Sequence, residues 1–409
     1  MATHAQNPHL LLLPPPPPQA TRSALNTLYR PTLSAALTRL ADNDRPSILV
    51  AALSCPVLSG PVASSSRHVR WKFAQSLLAS LYVIIASVCA ERGIATDVGA
   101  TEAGSVDVRV VLVDHDKGRV YEKGVQGLED HPRGNGTTVP DLMSFAAVDQ
   151  QWSTVFHPSC EDGYELLEKF LKLSEGKKTF LQKQVVAVDC GMALTVADGQ
   201  GVQDIAEDGY SSVCLGGTFD HLHPGHKLLL HATALLLCPA ERSNCELIVE
   251  ISGDALLVKK QYAEELQPWT SRARSVVSFL STVLDQSSHA SEVSSGLTSA
   301  TPKDNEEIQA SMCNGKVLVR CVNIPDPFGP TITEEGIQAI VVSAETRSGG
   351  KAINDKRDAK SWKPLIVYEI DVLDAGGVED EGEKQGGLGF ESKISSTMIR
   401  KQKMLDRTT

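Results

Sequence analysis

The sequence predicts an α/β protein, in which helices alternate with the buried strands of parallel sheets. Short apolar runs bounded by polar or glycine residues recur along the chain, which is typical of strands covered on both faces. Longer segments with apolar residues at helical spacing separate these runs. Successions of strand, helix and strand favour parallel strands joined by right-handed crossovers.

The chain has 409 residues, which is enough for two or three domains. We predict a flexible proline-rich tail over residues 1–45, an α/β domain of unknown role over 46–206 and a second α/β domain over 207–409. The proline run Pro14–Pro18 favours an extended, disordered start, because proline-rich backbone makes no internal hydrogen bonds. Apolar spacing within the tail predicts a helix at Ser23–Leu40.

Composition limits the class of protein. The net charge of -11 argues against a nucleic-acid-binding protein, which would normally present a basic surface. Nine cysteines without a C-x-x-C pair indicate reduced thiols rather than a zinc site. The N-terminus is too short and too weakly basic for a signal peptide, so we expect a cytoplasmic protein. The apolar segment Phe73–Ala90 contains a glutamine and several serines, and we expect a buried helix there rather than a membrane span.

The first α/β domain shows predicted elements but no recognisable chemistry. Strands are predicted at Ser47–Leu53, Val106–Val113 and Gln184–Asp189, and helices at Val69–Glu91 and Tyr164–Leu173. Asp114 and Asp116 could hold a metal ion, but a polar turn after a strand is the simpler interpretation. We therefore assign this domain no activity.

One stretch of the second domain, Val213–Leu230, combines an apolar strand, a glycine turn and the start of a helix. Glycines allow a phosphate to approach the backbone, and the free N–H groups of a helix start face an anion. His223 and His226 lie three residues apart, on the same side of that helix start. There they can donate hydrogen bonds to a phosphoryl group as its charge develops.

The rest of this domain continues the alternation of strands and helices. Strands are predicted at Cys245–Gly253, Val317–Val322, Ala339–Ser343 and Pro364–Ile370, and helices at Leu228–Leu237, Ala273–Leu284 and from Ile394 onward. Residues of about 285–314 and 374–390 are polar, acidic or glycine-rich, and we predict flexible loops there because such sequences bury little apolar surface.

The second domain resembles a known family in four blocks that occur in order between Ser211 and Lys401. The blocks are Gly216-Gly-Thr-Phe-Asp220 with His223-Pro-Gly-His226, Asp326-Pro-Phe-Gly-Pro-Thr331, Val342-Ser-Ala-Glu-Thr-Arg347 and Ile394-Ser-Ser-Thr-Met-Ile-Arg400. They resemble the nucleotidyltransferase superfamily with the (T/H)-x-G-H signature, and most of all the phosphopantetheine adenylyltransferases of the eukaryotic, fungal-like type. The resemblance implies a Rossmann-like nucleotidyltransferase domain.

The implied reaction is adenylyl transfer from ATP to 4′-phosphopantetheine, which gives dephospho-coenzyme A and pyrophosphate in coenzyme A synthesis. A phosphate nucleophile is already ionised at neutral pH, so catalysis reduces to positioning and charge stabilisation. Mg²⁺ is expected to accompany ATP, held mostly by phosphates and water, with no protein ligand named. Association with other enzymes of coenzyme A synthesis is a further expectation; nucleic acid and membrane are not expected as partners.

The resemblance also implies the roles of particular residues. His226 and His223 should be the catalytic residues. His226, the main one, should contact the transferring phosphoryl group, and His223 should contact the ATP phosphates. The ATP site would comprise Gly216, Gly217, Thr218, Phe219, His226, Ser395, Ser396, Thr397 and Arg400. The phosphopantetheine site would comprise Thr218, Lys259, Lys260, Arg272, Glu345 and Thr346.

Several of these roles stay open at this point. Either Lys259 or Lys260 could hold the phosphates, and Arg272 could be a phosphopantetheine contact or a structural residue. Bacterial relatives carry arginines in the segment of Glu345 and Thr346, so the roles of these two residues are not fixed by the resemblance. Asp220 is expected to brace the turn rather than react.

Two alternative functions are retained. One is another transferase of the same superfamily, of the nicotinate-mononucleotide or cytidylyl type; the second and third blocks favour the pantetheine branch instead. The other is a catalytically inactive scaffold, against which the intact His223, His226 and Thr218 argue. The chain has no G-x-x-x-x-G-K-[ST] phosphate loop, so we expect a transferase without a fused kinase.

Overall fold

The computed structural model describes most of the chain and divides it into two compact units. The described residues are 7–17, 21–62, 64–121, 135–192, 209–239, 244–286, 307–371 and 395–408. One unit comprises residues 1–207 with 282–288, and the other comprises 208–281 with 289–409. Each unit is built on a sheet whose strands alternate with helices along the chain, as the sequence predicts.

The first unit contains a five-stranded parallel sheet and a short hairpin. Its elements are β1 His9–Leu13, α1 Arg22–Ala41, β2 Ser47–Cys55, β3 Leu58–Ser59, β4 His68–Val69, α2 Trp71–Arg92, β5 Val106–Asp114, α3 Leu142–Ala147, β6 Val155–Pro158, α4 Glu161–Ser174 and β7 Val185–Val188. The strand order in the sheet is β5-β2-β1-β6-β7, and every neighbouring pair is parallel. β3 and β4 form the antiparallel hairpin.

The prediction of a flexible tail over residues 1–45 is wrong for the segment that forms β1. This strand lies in the middle of the sheet, with Leu10 paired to Val50 on one side and Val155 on the other. All five of its residues are buried. A leucine run of this kind suits a strand that is covered on both faces, and the prolines that follow end the strand because they cannot donate to a ladder. The predicted helix at Ser23–Leu40 is confirmed as α1.

The other predicted elements of the first unit are confirmed as β2, α2, β5, α4 and β7. β6 and α3, four and six residues long, were not predicted because such short elements leave little periodicity to read. α2 is apolar and long enough to cross a membrane by length and composition, with a mean hydropathy of 1.9; 72% of its most apolar stretch is buried in the structure, as in a core helix.

Asp114, considered in the sequence as part of a metal pair, forms buried ion pairs instead. One of its oxygens lies 2.5 Å from Nη1 of Arg67 and 2.5 Å from Nη1 of Arg119. The other oxygen accepts the backbone N–H of Leu58. These contacts fix the hairpin that follows β2 against the end of β5, so the polar turn is the correct interpretation.

The second unit contains a six-stranded mixed sheet. Its elements are β8 Ser212–Gly217, α5 Pro224–Ala234, β9 Cys245–Ser252, α6 Asp254–Leu257, α7 Trp269–Asp285, β10 Glu307–Met312, β11 Val317–Ile324, β12 Ala339–Val342, α8 Arg347–Asp358, β13 Ile366–Glu369 and α9 Ser396–Thr408. The strand order is β10-β11-β9-β8-β12-β13, in which only the β10–β11 pair is antiparallel among the described strands.

The strands and helices predicted in this unit are confirmed, and besides the four-residue helix α6 two elements are additional. β10 lies within the predicted loop 285–314, so that prediction is wrong for residues 307–312; buried Ile308, Ala310 and Met312 alternate there with polar residues, as in a strand covered on one face. Residues 287–306 and the predicted loop 374–390 lie outside the described residues. The second addition is α8, which contains the glycine pair that follows the third sequence block.

The two units share a strand order. In each, the first strand of the unit (β1 or β8) lies between the second and fourth parallel strands, so β5-β2-β1-β6-β7 corresponds to β11-β9-β8-β12-β13. Open parallel sheets of this order bind ligands outside the carboxyl ends of the strands, where the order reverses. A glycine turn follows β8 at that place, whereas the proline run follows β1 and supplies no N–H donors. The turn that the sequence predicts to bind an anion therefore belongs to the second unit.

Candidate functional site

The turn between β8 and α5 has a constrained backbone. Phe219 and His221 adopt positive φ angles of 51° and 43°, in the left-handed region that side chains other than glycine rarely occupy. Phe219 is fully buried, and a Cβ on Gly217 would lie 3.0 Å from two atoms of its ring. A side chain at position 217 would therefore crowd this ring at the end of β8, and the surrounding contacts must hold the strained turn in place.

Gln267 holds the centre of this turn. Its side-chain oxygen accepts the backbone N–H of His221 at 2.8 Å, and its own backbone N–H donates to Oδ1 of Asp220 at 2.9 Å. The ring of His221 is bonded through Nε2 to the carbonyl oxygen of Glu265 at 2.9 Å. The segment before α7 therefore fixes the backbone of the turn through these three hydrogen bonds.

Arg272, at the start of α7, is buried and binds backbone carbonyl oxygens of three different segments, one of which is the turn. Its guanidinium donates to the carbonyl oxygens of Thr218 at 2.6 Å, Ser252 at 2.8 Å and Gln267 at 3.0 Å. It also pairs with Asp254 at 2.6 Å. Of the two roles left open by the sequence, these contacts support the structural one.

His223 and His226 are brought together at the start of α5. Their ring centroids lie 3.9 Å apart at an interplanar angle of 26°, which is a stacked arrangement. Nδ1 of His223 accepts the N–H of Gly225 at 3.2 Å, so this ring caps the helix. Nδ1 of His226 is buried and has no hydrogen-bond partner among the described residues.

The charge state of His226 follows from its surroundings. Burial lowers its pKa well below the ordinary value of 6.5, and the nearby His223 and His221 lower that pKa further. The imidazole is therefore neutral at physiological pH, with one N–H donor and one acceptor nitrogen. A neutral donor can approach a phosphoryl oxygen and strengthen its hydrogen bond as charge develops there.

The start of α9 is fastened to the same turn through Asp220. Oγ of Ser396 donates to the carbonyl oxygen of Asp220 at 2.8 Å, and Nη1 of Arg400 lies 2.5 Å from its carboxylate. Oγ1 of Thr397 accepts from Arg400 at 3.2 Å, and Oγ of Ser395 accepts the N–H of Met398 at 3.4 Å. α5 and α9 thus both begin at the turn, where their free N–H groups and dipoles favour an anion.

The contacts of Asp220 and Arg400 bear on their expected roles. Asp220 is fully buried and accepts hydrogen bonds from Gln267 and Arg400, which is the bracing role that the sequence predicts. Arg400, expected to face the leaving pyrophosphate, is almost fully buried, and its Nε donates to the carbonyl oxygen of Gln261 at 3.0 Å. In this structure the guanidinium positions α9.

The remaining predicted site residues are less closely connected. Lys259 and Lys260 are exposed after α6, and neither ammonium is paired with a carboxylate of the described residues. Oγ1 of Thr346 accepts the N–H of Ser343 at 3.0 Å and so caps its own short helical turn, while Glu345 is exposed. Of the expected phosphopantetheine ligands, only Thr218 and Arg272 are joined by hydrogen bonds to the glycine turn within the described part of the chain.

Two residues of this region were not singled out in the sequence. Gln267 occurs in a polar stretch that gives no sign of its contacts with the turn. Glu250 is 2% exposed within β9 and accepts the N–H of Thr331. An ionisable residue inside the apolar run Leu247-Ile-Val-Glu-Ile251 is a signal that could have indicated it. The described residues include no group of three or more His, Cys, Asp or Glu arranged to hold a metal ion.

Comparison with known proteins gives a match to one family model and matches to several relatives. A domain of unknown function (DUF8446) matches residues 1–194. An uncharacterized protein, C1F12.08, of Schizosaccharomyces pombe is 34% identical over 188 residues, which are 46% of this chain and 46% of that relative, so the chain spans about half the length of that protein.

Relatives with a stated activity are also found. A phosphopantetheine adenylyltransferase of Thermococcus kodakarensis is 28% identical over 191 residues, which cover 47% of this chain and 85% of that protein. The phosphopantetheine adenylyltransferase of Saccharomyces cerevisiae is 32% identical over 259 residues, which cover 63% of this chain and 67% of that protein. By this last match, the chain belongs to the phosphopantetheine adenylyltransferase family.

Proposed function

We propose that the second unit transfers the adenylyl group of ATP to 4′-phosphopantetheine, with release of pyrophosphate and formation of dephospho-coenzyme A. One observation carries the proposal: the buried Asp220 holds the start of α9 against the turn that leads into α5. Two helix starts and the His223–His226 pair thereby meet at one turn. Such a site suits a reaction that needs bound anions and no activated nucleophile.

The substrates would use different parts of this site. The ATP phosphates would lie against the amides of Gly216 to Thr218 and the hydroxyls and amides of Ser395 to Thr397. The phosphate of the acceptor would lie beside Thr218, within reach of one of the exposed lysines, Lys259 or Lys260. This arrangement would hold the attacking oxygen and the α-phosphorus in line, which supplies most of what such a transfer needs.

The transfer itself requires no proton abstraction. An oxygen of the acceptor phosphate forms a bond to the α-phosphorus of ATP, and the bond from that phosphorus to the bridging oxygen breaks. The electron pair leaves with pyrophosphate. His226, as a neutral imidazole, would donate a hydrogen bond to an oxygen of the transferring group, whose charge is greatest in the transition state.

Mg²⁺ fits this proposal as a companion of ATP. Phosphate oxygens and water satisfy its octahedral coordination, so it needs no cluster of protein ligands. When bound, it would neutralise part of the charge on the leaving pyrophosphate. The residues of this chain bind and orient the substrates around it.

The test is pyrophosphate release from the purified chain with Mg-ATP, with and without 4′-phosphopantetheine, beside the variant His226→Ala. We expect release that requires 4′-phosphopantetheine and that collapses in the variant. Parallel reactions offer nicotinate mononucleotide with ATP, or a phosphorylated alcohol with CTP. Release with one of these acceptors alone would assign a different transferase activity. A folded chain that binds ATP but releases no pyrophosphate with any acceptor would overturn the enzymatic function.

A further inference from the structure

Glu250 is a buried ionisable residue that the proposed mechanism does not use. It lies in β9, between Gly216 of β8 and Val322 of β11, its neighbours across the sheet. Only 2% of the residue is exposed. Its neighbour two positions earlier on the same face of the strand, Ile248, belongs to the apolar core of the second unit, together with Cys214.

The carboxyl group of Glu250 lies between two of the sequence blocks. Oε1 accepts the backbone N–H of Thr331, in the loop Asp326–Thr331, at 3.1 Å. Oε2 lies 3.6 Å from the position that a Cβ on Gly216 would occupy. Gly329 of the same loop is equally close, since a Cβ there would lie 3.4 Å from Oε1. The carboxyl group is therefore hydrogen-bonded to this loop and lies on the strand position that pairs with Gly216.

The charges around Glu250 do not compensate a carboxylate. Asp326 and Glu334, from the loop after β11, bring further negative charge. On β8, Cys214 faces it as a thiol whose pKa is raised by burial. Arg357 of α8 donates to the carbonyl oxygens of Thr331, Glu335 and Ile337, and not to Glu250.

Other cations near this face are also occupied. Arg320 of β11 pairs with Glu246, Glu307 and Glu334. Burial therefore raises the pKa of Glu250 to about 8, helped by Glu334 and Asp326 and opposed by the Thr331 amide. At neutral pH the group is a carboxylic acid, which can both accept from Thr331 and donate through its second oxygen.

We propose that Glu250 is a positioning residue that must be protonated for the site to bind its phosphate-bearing substrates. As a neutral acid it holds the Asp326–Thr331 loop against the end of β8. Once ionised, it places an unpaired negative charge beside Gly216, where it repels anionic substrates through a poorly screened interior. This inference rests on the proposed function and assigns that site a protonation requirement.

The kinetic test compares the wild-type chain with Glu250→Gln and Glu246→Gln at several pH values from neutral to about pH 9. Glutamine keeps the shape and the acceptor oxygen for Thr331 but cannot ionise. Glu246 lies on the same strand and face but is partly exposed and paired with Arg320, which makes it the matched control. The readout is kcat/KM for 4′-phosphopantetheine in pyrophosphate release.

We expect wild type and Glu250→Gln to be similar at neutral pH. One pH unit above the pKa of Glu250, the kcat/KM of wild type should be about tenfold lower than that of Glu250→Gln. At that pH only about one molecule in ten keeps Glu250 protonated. Glu246→Gln should keep the wild-type fall. Identical alkaline profiles in wild type and Glu250→Gln would overturn the proposal.

A second variant leaves Glu250 itself intact, so the proposal can still be tested if Glu250→Gln does not fold. Glu334→Gln removes a negative charge that raises the pKa of Glu250. Glu250 should then ionise more readily, and the fall in kcat/KM should begin at a lower pH. A fall that stays at the wild-type pH, or moves to a higher one, contradicts the assignment.

Thermal unfolding tests the ionisation without any activity. Folding raises the pKa of Glu250 from its ordinary value of 4.5 to about 8. The stability that its protonation gives to the folded state is therefore lost as the pH rises from 4.5 through about 8. Wild type should therefore lose stability relative to Glu250→Gln between mildly acidic and alkaline pH. A difference in Tm that does not change with pH overturns the proposal, whether or not the chain is active.

The same experiments separate this inference from the proposed function. If no acceptor supports pyrophosphate release, the proposed function fails, and calorimetric binding of Mg-ATP then decides the role of Glu250. Affinity for ATP should fall about tenfold between neutral pH and pH 9 in wild type and stay constant in Glu250→Gln. Equal affinities at both pH values in wild type would overturn the inference.

Discussion

Arg400 and Asp220 form a buried ion pair that joins the C-terminal helix to the glycine turn, with Nη1 and Oδ2 2.5 Å apart. The two residues are 180 positions apart in the sequence. Their side chains are 2% and 0% exposed, so neither charge has water to compensate it. This pair is the buried ionic contact that orients α9, beside the hydrogen bonds from Ser396 to the Asp220 carbonyl oxygen and from Arg400 to the Gln261 carbonyl oxygen. Breaking it should disturb both folding and phosphate binding.

The first prediction concerns that pair. Arg400→Ala should lower the free energy of unfolding by about 3–5 kcal/mol, because it leaves Asp220 buried without a counter-charge. Urea denaturation measures the loss. Arg407→Ala is the control: Arg407 lies on the same helix but is 71% exposed, and it pairs with Glu265, whose side chain is 12% exposed. That change should cost at most about 1 kcal/mol. Equal losses in the two variants would show that the buried pair has no special role.

The second prediction concerns His226 in catalysis. His226→Ala should lower kcat by about 10²–10³, the usual effect of removing one donor to a developing oxyanion. Its unfolding should be affected far less than its activity. His231→Gln is a suitable control, since His231 is buried in the same helix but lies outside the turn; we expect it to change stability and not kcat. A retained kcat in folded His226→Ala would remove this residue from the reaction.

The third prediction concerns the charge state of His226. Because its pKa lies well below 6.5, the imidazole stays neutral when the pH falls from 8 to 6.5, and its protonation should not lower kcat over that range. Loss of activity through this group should occur only at more acidic pH. The pH profile of kcat, corrected with His226→Gln, measures it. A His226-dependent loss centred near the ordinary histidine pKa would contradict the low pKa.

Most strands and helices of both units could be predicted, because each combines an apolar run with a local boundary signal. β1 could not: its leucine run stands beside prolines near the N-terminus, and only its pairing with β2 and β6 makes it the middle strand. The missing information is non-local. A run of five residues does not show which strands will lie beside it.

The candidate site shows the same limit. Gly216 to Thr218, His223 and His226 are close in sequence, and their spacing predicts the turn that the structure contains. Arg272 binds carbonyl oxygens of Thr218 and Ser252, residues 54 and 20 positions away. A guanidinium suits phosphates and carbonyl oxygens alike, so the residue type does not show which partner it will reach.

The fourth prediction compares the two glycines of the turn. In Gly217→Ala the new Cβ would lie 3.0 Å from the ring of Phe219, which is buried and held at a positive φ, so it cannot easily move. We expect a loss of about 1–3 kcal/mol in the free energy of unfolding. In Gly216→Ala the nearest atom lies at 3.6 Å, an ordinary contact, and folding should be nearly unchanged. Comparable losses in the two variants would mean that the Phe219 ring does not set the requirement.

The last prediction separates the structural role of Arg272 from a role in binding substrate. Arg272→Lys keeps a positive charge but loses the planar fork that reaches the carbonyl oxygens of Thr218, Ser252 and Gln267 together. Each buried carbonyl left unpaired costs about 1–3 kcal/mol, so the free energy of unfolding should fall by several kcal/mol.

Arg274→Lys, at an exposed position of the same helix, is the control for this change and should leave stability unaltered. The turn that Arg272 supports also carries Thr218, so the KM for 4′-phosphopantetheine should rise together with the loss of stability. If KM rises while the unfolding free energy stays at the wild-type value, Arg272 contacts the substrate directly. In that case its bonds to the backbone contribute little, and the strained turn must be held by Gln267 and Asp220 instead.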